Sequence, residues 1–174
     1  MKQLITSQSI RATSRRLLAS SLGLAALLAA GAAAAEESGW SFNFTPVLML
    51  PKADYRLGGG ADPELRYIHD LGGVSLSAGG RVGAYYAKNQ FGVMVMPTLR
   101  ASLPLGPVEP YLAGGLGYGW LPMSEREGLS TMARFGTVFH FSDSFSIGLE
   151  ATLQQIQGTN FAFPSFGSML SIDL

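Results

Sequence analysis

The chain has 174 residues, no cysteine, and 12 lysine and arginine residues against 12 aspartate and glutamate residues. This length predicts a single domain, and the lack of cysteine excludes a disulfide framework. Charged residues make up only 14% of the chain and form no basic stripe, which argues against nucleic acid as a partner.

The first 35 residues have the pattern of an export signal. Lys2, Arg11, Arg15 and Arg16 precede an apolar run, residues 17–35, that ends in small side chains. We therefore predict a signal peptide over residues 1–35 and a mature domain over residues 36–174. A retained transmembrane anchor is the alternative, because the run approaches the ~20 residues that a spanning helix needs. Removing the segment leaves 8 basic and 12 acidic residues, a net charge of −4.

After residue 35, apolar and polar residues alternate with a period of two, and turn residues interrupt the alternation. In the first run, Trp40, Phe42 and Phe44 share one face, and Ser41 and Asn43 share the other. A period of two indicates β-strands. Eight strands are predicted, at residues 40–50, 63–70, 74–86, 91–103, 108–120, 131–141, 145–156 and 164–174.

The lengths of these runs match the ~9–11 residues with which a tilted strand crosses a bilayer. Short links at residues 70–73, 105–107 and 142–144 alternate with longer ones at 57–62, 122–128 and 157–163, apart from a short link at 88–90. This alternation is typical of outer-membrane barrels. We predict an all-β fold, an eight-stranded antiparallel up-and-down transmembrane barrel in the outer membrane of a Gram-negative bacterium, with both chain ends in the periplasm.

The face opposite the apolar one argues against a soluble β-sandwich, because it holds serine, glycine, threonine and tyrosine with isolated charges instead of a charged, water-facing surface. In a barrel this face lines a lumen just wide enough to be filled by side chains. Buried charges there must pair. The predicted lumen charge network is Arg81, Arg100, Glu109, Arg134, His140 and Glu150, with Asp173 as a further acidic candidate.

Aromatic side chains are expected at both membrane interfaces, where their amphipathic rings are stable. The predicted topology brings one group to the periplasmic rim and another to the outer rim. The predicted interface aromatics are Trp40, Tyr86, Tyr118, Trp120 and Phe163.

Three segments resemble the opacity-type, outer-membrane-protein-A-like family of small barrels. "VEPYLAGGLGYGW" (108–120) is similar to a strand of that family, and "FSDSFSIGLEATL" (141–153) to its penultimate hairpin. The last strand resembles the terminal signal read by the outer-membrane assembly machinery, through Gly167, Leu170, Ile172 and Leu174. Leu174 departs from the usual terminal aromatic residue.

The resemblance implies a monomer with membrane partners: outer-membrane lipids and lipopolysaccharide, the assembly machinery, and periplasmic chaperones in transit. No metal or cofactor is expected. Asp62 and Glu64 in one predicted outer loop, with Glu125 and Glu127 in another, are best interpreted as solvated acidic residues. A divalent cation shared with lipopolysaccharide phosphates is the alternative.

A second resemblance concerns His140 and Ser142. Lipid A 3-O-deacylases are barrels of similar size that use a histidine and a serine two positions apart, with a glutamate orienting the histidine. Here Glu150 would orient His140, and Ser142 would be the nucleophile. Two features depart from that family: its serine is followed by asparagine, where this chain has Asp143, and it acts on the outer leaflet, whereas His140 is predicted at the periplasmic end.

The sequence alone therefore favours a non-enzymatic envelope protein, structural or surface-interacting, with a lumen plugged by side chains. A narrow pore for small solutes is the first alternative. A lipid A-modifying enzyme that uses His140 and Ser142 is the second.

Overall fold

The computed structural model describes residues 38–50, 57–87, 89–159 and 161–174. The predicted signal peptide lies outside the described residues, so its removal stays a prediction. The described chain forms eight antiparallel strands in one closed barrel. These are β1 (Ser38–Met49), β2 (Gly58–Asp70), β3 (Ser75–Ala87), β4 (Gln90–Ser102), β5 (Val108–Leu121), β6 (Arg126–Ser142), β7 (Phe145–Ile156) and β8 (Ala162–Asp173).

The predicted fold class is confirmed. Each strand pairs with its neighbour in sequence, and β8 pairs with β1 from Ser41↔Asp173 to Met49↔Ser165, which closes the barrel. Closure is what a bilayer requires, because an open edge would leave backbone N–H and C=O groups unpaired in hydrocarbon. The described chain also contains one 3₁₀ turn, Pro122–Ser124. It contains no helix long and apolar enough to cross a membrane.

The period of two in the sequence becomes an apolar outer face and a mostly polar lumen. On β7, Ile147, Leu149 and Leu153 point outward, whereas Glu150 and Thr152 are buried inside. The same alternation runs along all eight strands, because successive side chains in a strand point to opposite faces.

The two ends of the barrel differ in their connections. We call the end with the turns at residues 71–74, 103–107 and 143–144 the hairpin mouth, and the opposite end the loop mouth. At the hairpin mouth, Asp70 Oδ1 accepts a hydrogen bond of 2.8 Å from the Gly72 N–H, and Gly72 has a φ of 75°. The loop mouth carries the turn Pro122–Ser124, which ends at Glu125 with a φ of 52°.

Strand β2 begins at Gly58, five residues earlier than predicted, so the expected outer loop at residues 57–62 is mostly strand. Residues 58–61 pair closely with β3, and glycine is the residue that fits this close approach. A Cβ on Gly58 would lie 2.7 Å from the Ala87 Cβ, and one on Gly60 would lie 2.6 Å from the Ala84 carbonyl oxygen. These glycines allow close strand approach and do not form a mobile loop. As a result Asp62 and Glu64 are buried in the lumen, which removes them from the outer loops.

The structure also corrects the predicted location of Phe163. It was predicted at the membrane interface, but only 4% of its surface is exposed, because its position on β8 points into the lumen. Its ring lies 5.0 Å from that of Phe161 and 5.5 Å from that of Tyr85, measured between centroids. The other four predicted interface aromatics, Trp40, Tyr86, Tyr118 and Trp120, lie about half-exposed on the outer face.

Phe163 belongs to an apolar plug that fills the lumen at the loop mouth. Its members come from the loop-mouth ends of seven strands and from the turn before β8. Four of them are methionines, whose unbranched thioethers fill irregular space. The plug consists of Val47, Met49, Tyr85, Ala87, Met94, Met96, Leu121, Met132, Ile156, Phe161 and Phe163.

The plug generates a first prediction, which concerns conductance. The mature barrel refolded into a planar bilayer should show no discrete openings, because side chains fill the lumen throughout its loop-mouth half. Heat-dependent gel mobility would establish that the protein is folded. Stable, discrete current steps from folded protein would contradict the prediction.

Candidate active site

Below the plug, the middle of the lumen holds two groups of ion pairs. In the first, Arg81 pairs with Asp62, and both side chains are fully buried. The Tyr85 hydroxyl donates to the other oxygen of Asp62 and lies 3.1 Å from Gln154 Oε1. This group joins three strands around one carboxylate.

The second group is centred on Arg134. Its guanidinium donates to Glu64 Oε2 at 2.7 Å and to Glu150 Oε2 at 3.3 Å. Thr98 Oγ1 donates to Glu64 at 2.5 Å, and the Tyr111 hydroxyl donates to Glu150 at 2.7 Å. The buried cation is therefore paired with one carboxylate from the neighbouring strand β7 and one from β2, across the lumen.

The six residues predicted to form the lumen charge network all face the lumen, but the prediction omitted three further charged residues. Asp62 and Glu64 had been assigned to a loop, and Arg66, which is also buried, had not been considered. With these included, the described part of the chain contributes four arginines and four carboxylates to the ion-pair region of the lumen. They are Arg66, Arg81, Arg100 and Arg134, with Asp62, Glu64, Glu109 and Glu150.

At the hairpin mouth, Glu109, His140 and Ser146 form a continuous hydrogen-bonded chain. His140 Nε2 lies 2.8 Å from Glu109 Oε2, and His140 Nδ1 lies 2.8 Å from Ser146 Oγ. Since a carboxylate only accepts, Nε2–H must be the donor to Glu109, which in the neutral ring leaves Nδ1 to accept from the Ser146 hydroxyl. These are the contacts of a serine nucleophile, a histidine base and an orienting carboxylate.

Pairing between strands positions these side chains. His140 on β6 lies directly opposite Ser146 on β7, across the hairpin with the turn at residues 143–144. The His140 backbone N–H donates to the Pro107 carbonyl at 2.9 Å, which fixes the strand end beside β5. At the mouth, 36% of the His140 side chain is exposed, whereas Ser146 is buried behind it.

Arg100 holds Glu109 in place from the other side. Its Nη2 donates to Glu109 Oε1 at 2.8 Å, so one oxygen of the carboxylate binds arginine and the other binds histidine. The guanidinium carbon of Arg100 lies 3.8 Å from the centre of the Tyr111 ring. This stacking fixes the guanidinium plane and thereby the orientation of Glu109.

Two members of the predicted catalytic set are replaced. Ser142 forms no hydrogen bond with His140, because the β6–β7 register shifts between these two residues at the strand end. Glu150 lies deeper in the lumen, bound to Tyr111 and Arg134. Ser146 and Glu109 occupy the positions expected for Ser142 and Glu150. A two-residue turn alone would pair Phe141 with Ser146, and the register shift between His140 and Ser142 is what brings His140 opposite Ser146, so the sequence carried no signal for this pair.

The cation site considered for the outer loops is not assembled. Asp62 and Glu64 are buried in the lumen, whereas Glu125 and Glu127 are exposed at the loop mouth. Among the residues with described positions, no three histidine, cysteine, aspartate or glutamate side chains are grouped closely enough to hold a metal ion.

A comparison with protein families matches residues 49–163 to lipid A 3-O-deacylase (PagL). The match covers more than half of the chain. The chain belongs to this family. The expectation of a non-enzymatic protein is therefore wrong, because the family is named for an enzyme. A comparison with curated protein sequences finds no significant match.

Solved structures show the same fold at low sequence identity. Neisserial surface protein A matches with a TM-score of 0.54 and 11% identity, over 80% of this chain and 99% of that one. The N-terminal barrel domain of Pseudomonas aeruginosa OprF gives 0.52 and 12%, over 79% and 100%. The outer membrane enzyme PagL gives 0.50 and 12%, over 76% and 99%.

These relatives confirm the predicted location in the bacterial outer membrane. They do not confirm the more specific resemblance to opacity-type proteins, which stays a prediction. Within the matched region this PagL-family member has Asp143 where the family pattern, His-x-Ser-Asn, has asparagine. Its histidine also binds a serine across the hairpin and not the one two positions along the strand.

A second prediction concerns stability. Arg134→Leu should lower the free energy of unfolding by about 3 to 5 kcal/mol, because it leaves Glu64 and Glu150 buried without their cation. Urea titration of the refolded barrel in lipid vesicles would measure this. The control is Arg126→Leu, since Arg126 is exposed at the loop mouth. Equal effects of the two substitutions would show that the Arg134 ion pairs do not stabilise the barrel.

Proposed function

We propose that this protein hydrolyses acyl esters of membrane lipids, with Ser146 as nucleophile, His140 as general base and Glu109 as the orienting carboxylate. The observation that carries the proposal is the pair of 2.8 Å contacts that joins the three side chains through both nitrogens of one imidazole. Membership of a deacylase family supports the reaction class and the lipid acyl ester as substrate.

The reaction divides into two acyl transfers. Ser146 Oγ attacks the ester carbonyl carbon, and its proton passes to His140 Nδ1. The bond from the carbonyl carbon to the alcohol oxygen then breaks, and His140 returns the proton to the departing alcohol. Water attacks the acylated Ser146 in the same way, giving a fatty acid and the free serine.

Glu109 acts through His140. When the imidazole becomes cationic, the carboxylate next to Nε2 stabilises it and keeps Nδ1 directed at Ser146. Arg100 holds this carboxylate with its other oxygen, so the histidine partner cannot rotate away. The site is therefore preorganised by side chains from β4, β5, β6 and β7.

A third prediction tests the nucleophile. Ser146→Ala should lower hydrolysis of a short soluble ester, p-nitrophenyl butyrate, by about 10³-fold or more, because the attacking oxygen is removed. Release of nitrophenolate by the refolded barrel in detergent micelles measures the rate. Ser142→Ala is the matched control, two positions from the same histidine, and should keep the wild-type rate. Retained activity in Ser146→Ala, or its loss in Ser142→Ala alone, would exclude the proposed site.

A fourth prediction separates orientation from nucleophilicity. Glu109→Gln should lower kcat by about 10²- to 10⁴-fold, since an amide cannot stabilise the imidazolium. The KM for the soluble ester should change little, because Glu109 contacts His140 and Arg100 instead of substrate. Glu127→Gln, at the opposite mouth, serves as the control. An unchanged kcat in Glu109→Gln would show that the carboxylate does not take part.

A further inference from the structure

The barrel is closed by the pairing of β1 with β8, and we call this interface the seam. Its ladder breaks in the middle, between Phe44↔Leu170 and Val47↔Gly167. Pro46 lies in this break and has no backbone N–H to donate to the facing strand. By contrast, β3 pairs with β4 without interruption along the whole strand. The seam is therefore held by two short runs of backbone pairing.

Two other interfaces have a similar break, but an ion pair joins the strands of each. The first break, at Pro63, lies between β2 and β3, and Arg81 binds Asp62 across these strands. The second, at Pro97, lies between β4 and β5, which the ion pair of Arg100 joins. Every ion pair among the described residues lies within β2 to β7, so none of them spans the seam.

Lumen side chains add little to the hold between β1 and β8. Asn43 and Thr45 on β1 and Ser165 on β8 are buried, and their polar side-chain atoms make no hydrogen bond within the described part of the chain. Ser41 and Ser171 supply the side-chain link, with hydroxyl oxygens 3.0 Å apart near the hairpin mouth. Proteins open locally where the fewest interactions must be lost. Of the eight interfaces in the described barrel, the seam best meets this condition.

The seam lies one strand away from the candidate active site. Ser146 on β7 is paired with Ser171 on β8, and the Ser171 hydroxyl bonds that of Ser41 on β1. In the closed barrel only 1% of Ser146 is exposed, so an ester reaches its hydroxyl only after a change in the barrel. Separation of β8 from β1 breaks the Ser41–Ser171 contact and opens the lumen beside Ser146.

We infer that the barrel opens laterally along the seam, and that an acyl ester reaches Ser146 through this opening. The second part of the inference rests on the proposed hydrolase. Separating the strands exposes backbone N–H and C=O groups to hydrocarbon, which is costly. The closed barrel therefore predominates, and the open form is a minor population. The break at Pro46 lowers the cost, because fewer hydrogen bonds are lost when the strands separate.

Hydrogen exchange of single amides, measured by NMR on the refolded barrel in detergent micelles, tests the opening without reference to catalysis. Amides of the seam should exchange about tenfold or more faster than those of the β3–β4 ladder. A disulfide from Phe44→Cys with Leu170→Cys should remove this difference, since directly opposed strand residues are close enough to be bridged. The two residues are paired across the seam, and the chain has no cysteine of its own. Equally slow exchange at both interfaces of the wild type would overturn the inference.

The same disulfide tests the route to Ser146. Hydrolysis of p-nitrophenyl butyrate should fall by about tenfold or more in the oxidised variant, because the open form is lost. Its recovery on reduction would show that the variant is folded. The control is a disulfide from Ala78→Cys with Leu99→Cys, across β3 and β4, which should leave the rate unchanged.

The outcomes separate the opening from the chemistry. Full activity in the oxidised seam variant would mean that the ester enters past His140, and the proposed route would be wrong. A wild-type barrel that does not cleave the ester would instead exclude the hydrolase, while the exchange rates would still decide whether the seam opens.

Discussion

The constraint on which the rest of the structure depends is the pairing of charge inside a closed lumen. Eight strands leave room for side chains and little else, so each buried ion needs a partner from another strand. Arg81, Arg100 and Arg134 meet this need with carboxylates of other strands. The Arg81–Asp62 pair joins the neighbouring strands β3 and β2, and the Arg134–Glu64 pair ties β6 to β2 across the barrel. The same pairing fixes strand register, because a slip of one residue would turn these charges into lipid.

The alternation of side chains made the architecture predictable. Any strand in a bilayer must present apolar residues to lipid, so runs such as that of β7 identify both the strand and its outward face. The start of β2 was not predictable in the same way. Gly58 and Gly60 carry no side chain to show a period, and their role appears only once β3 lies against them. The burial of Phe163 did follow from alternation along β8, but an aromatic residue near a strand end was assigned to the interface instead.

The candidate site was predicted in part, for a physical reason. His140 and Glu109 were both assigned to the lumen, since each is costly to expose to lipid. Their contact, however, depends on how β5 and β6 are staggered, which a single sequence does not show. Ser146 was missed because the family resemblance directed attention along the strand to Ser142, whereas the hydrogen bond runs across the hairpin to the paired residue.

The position of the site follows from the same constraint. A catalytic group needs fixed partners, which the lumen network provides, and it needs contact with substrate, which a filled lumen prevents. These demands are compatible only where the network reaches a mouth, and the apolar plug closes the loop mouth. At the hairpin mouth Arg100 links Glu109 to the stacked ring of Tyr111, and Tyr111 in turn binds Glu150 within the Arg134 group. The chain of paired polar groups thus runs through Glu109 and His140 to Ser146, and His140 is the partly exposed member at the mouth.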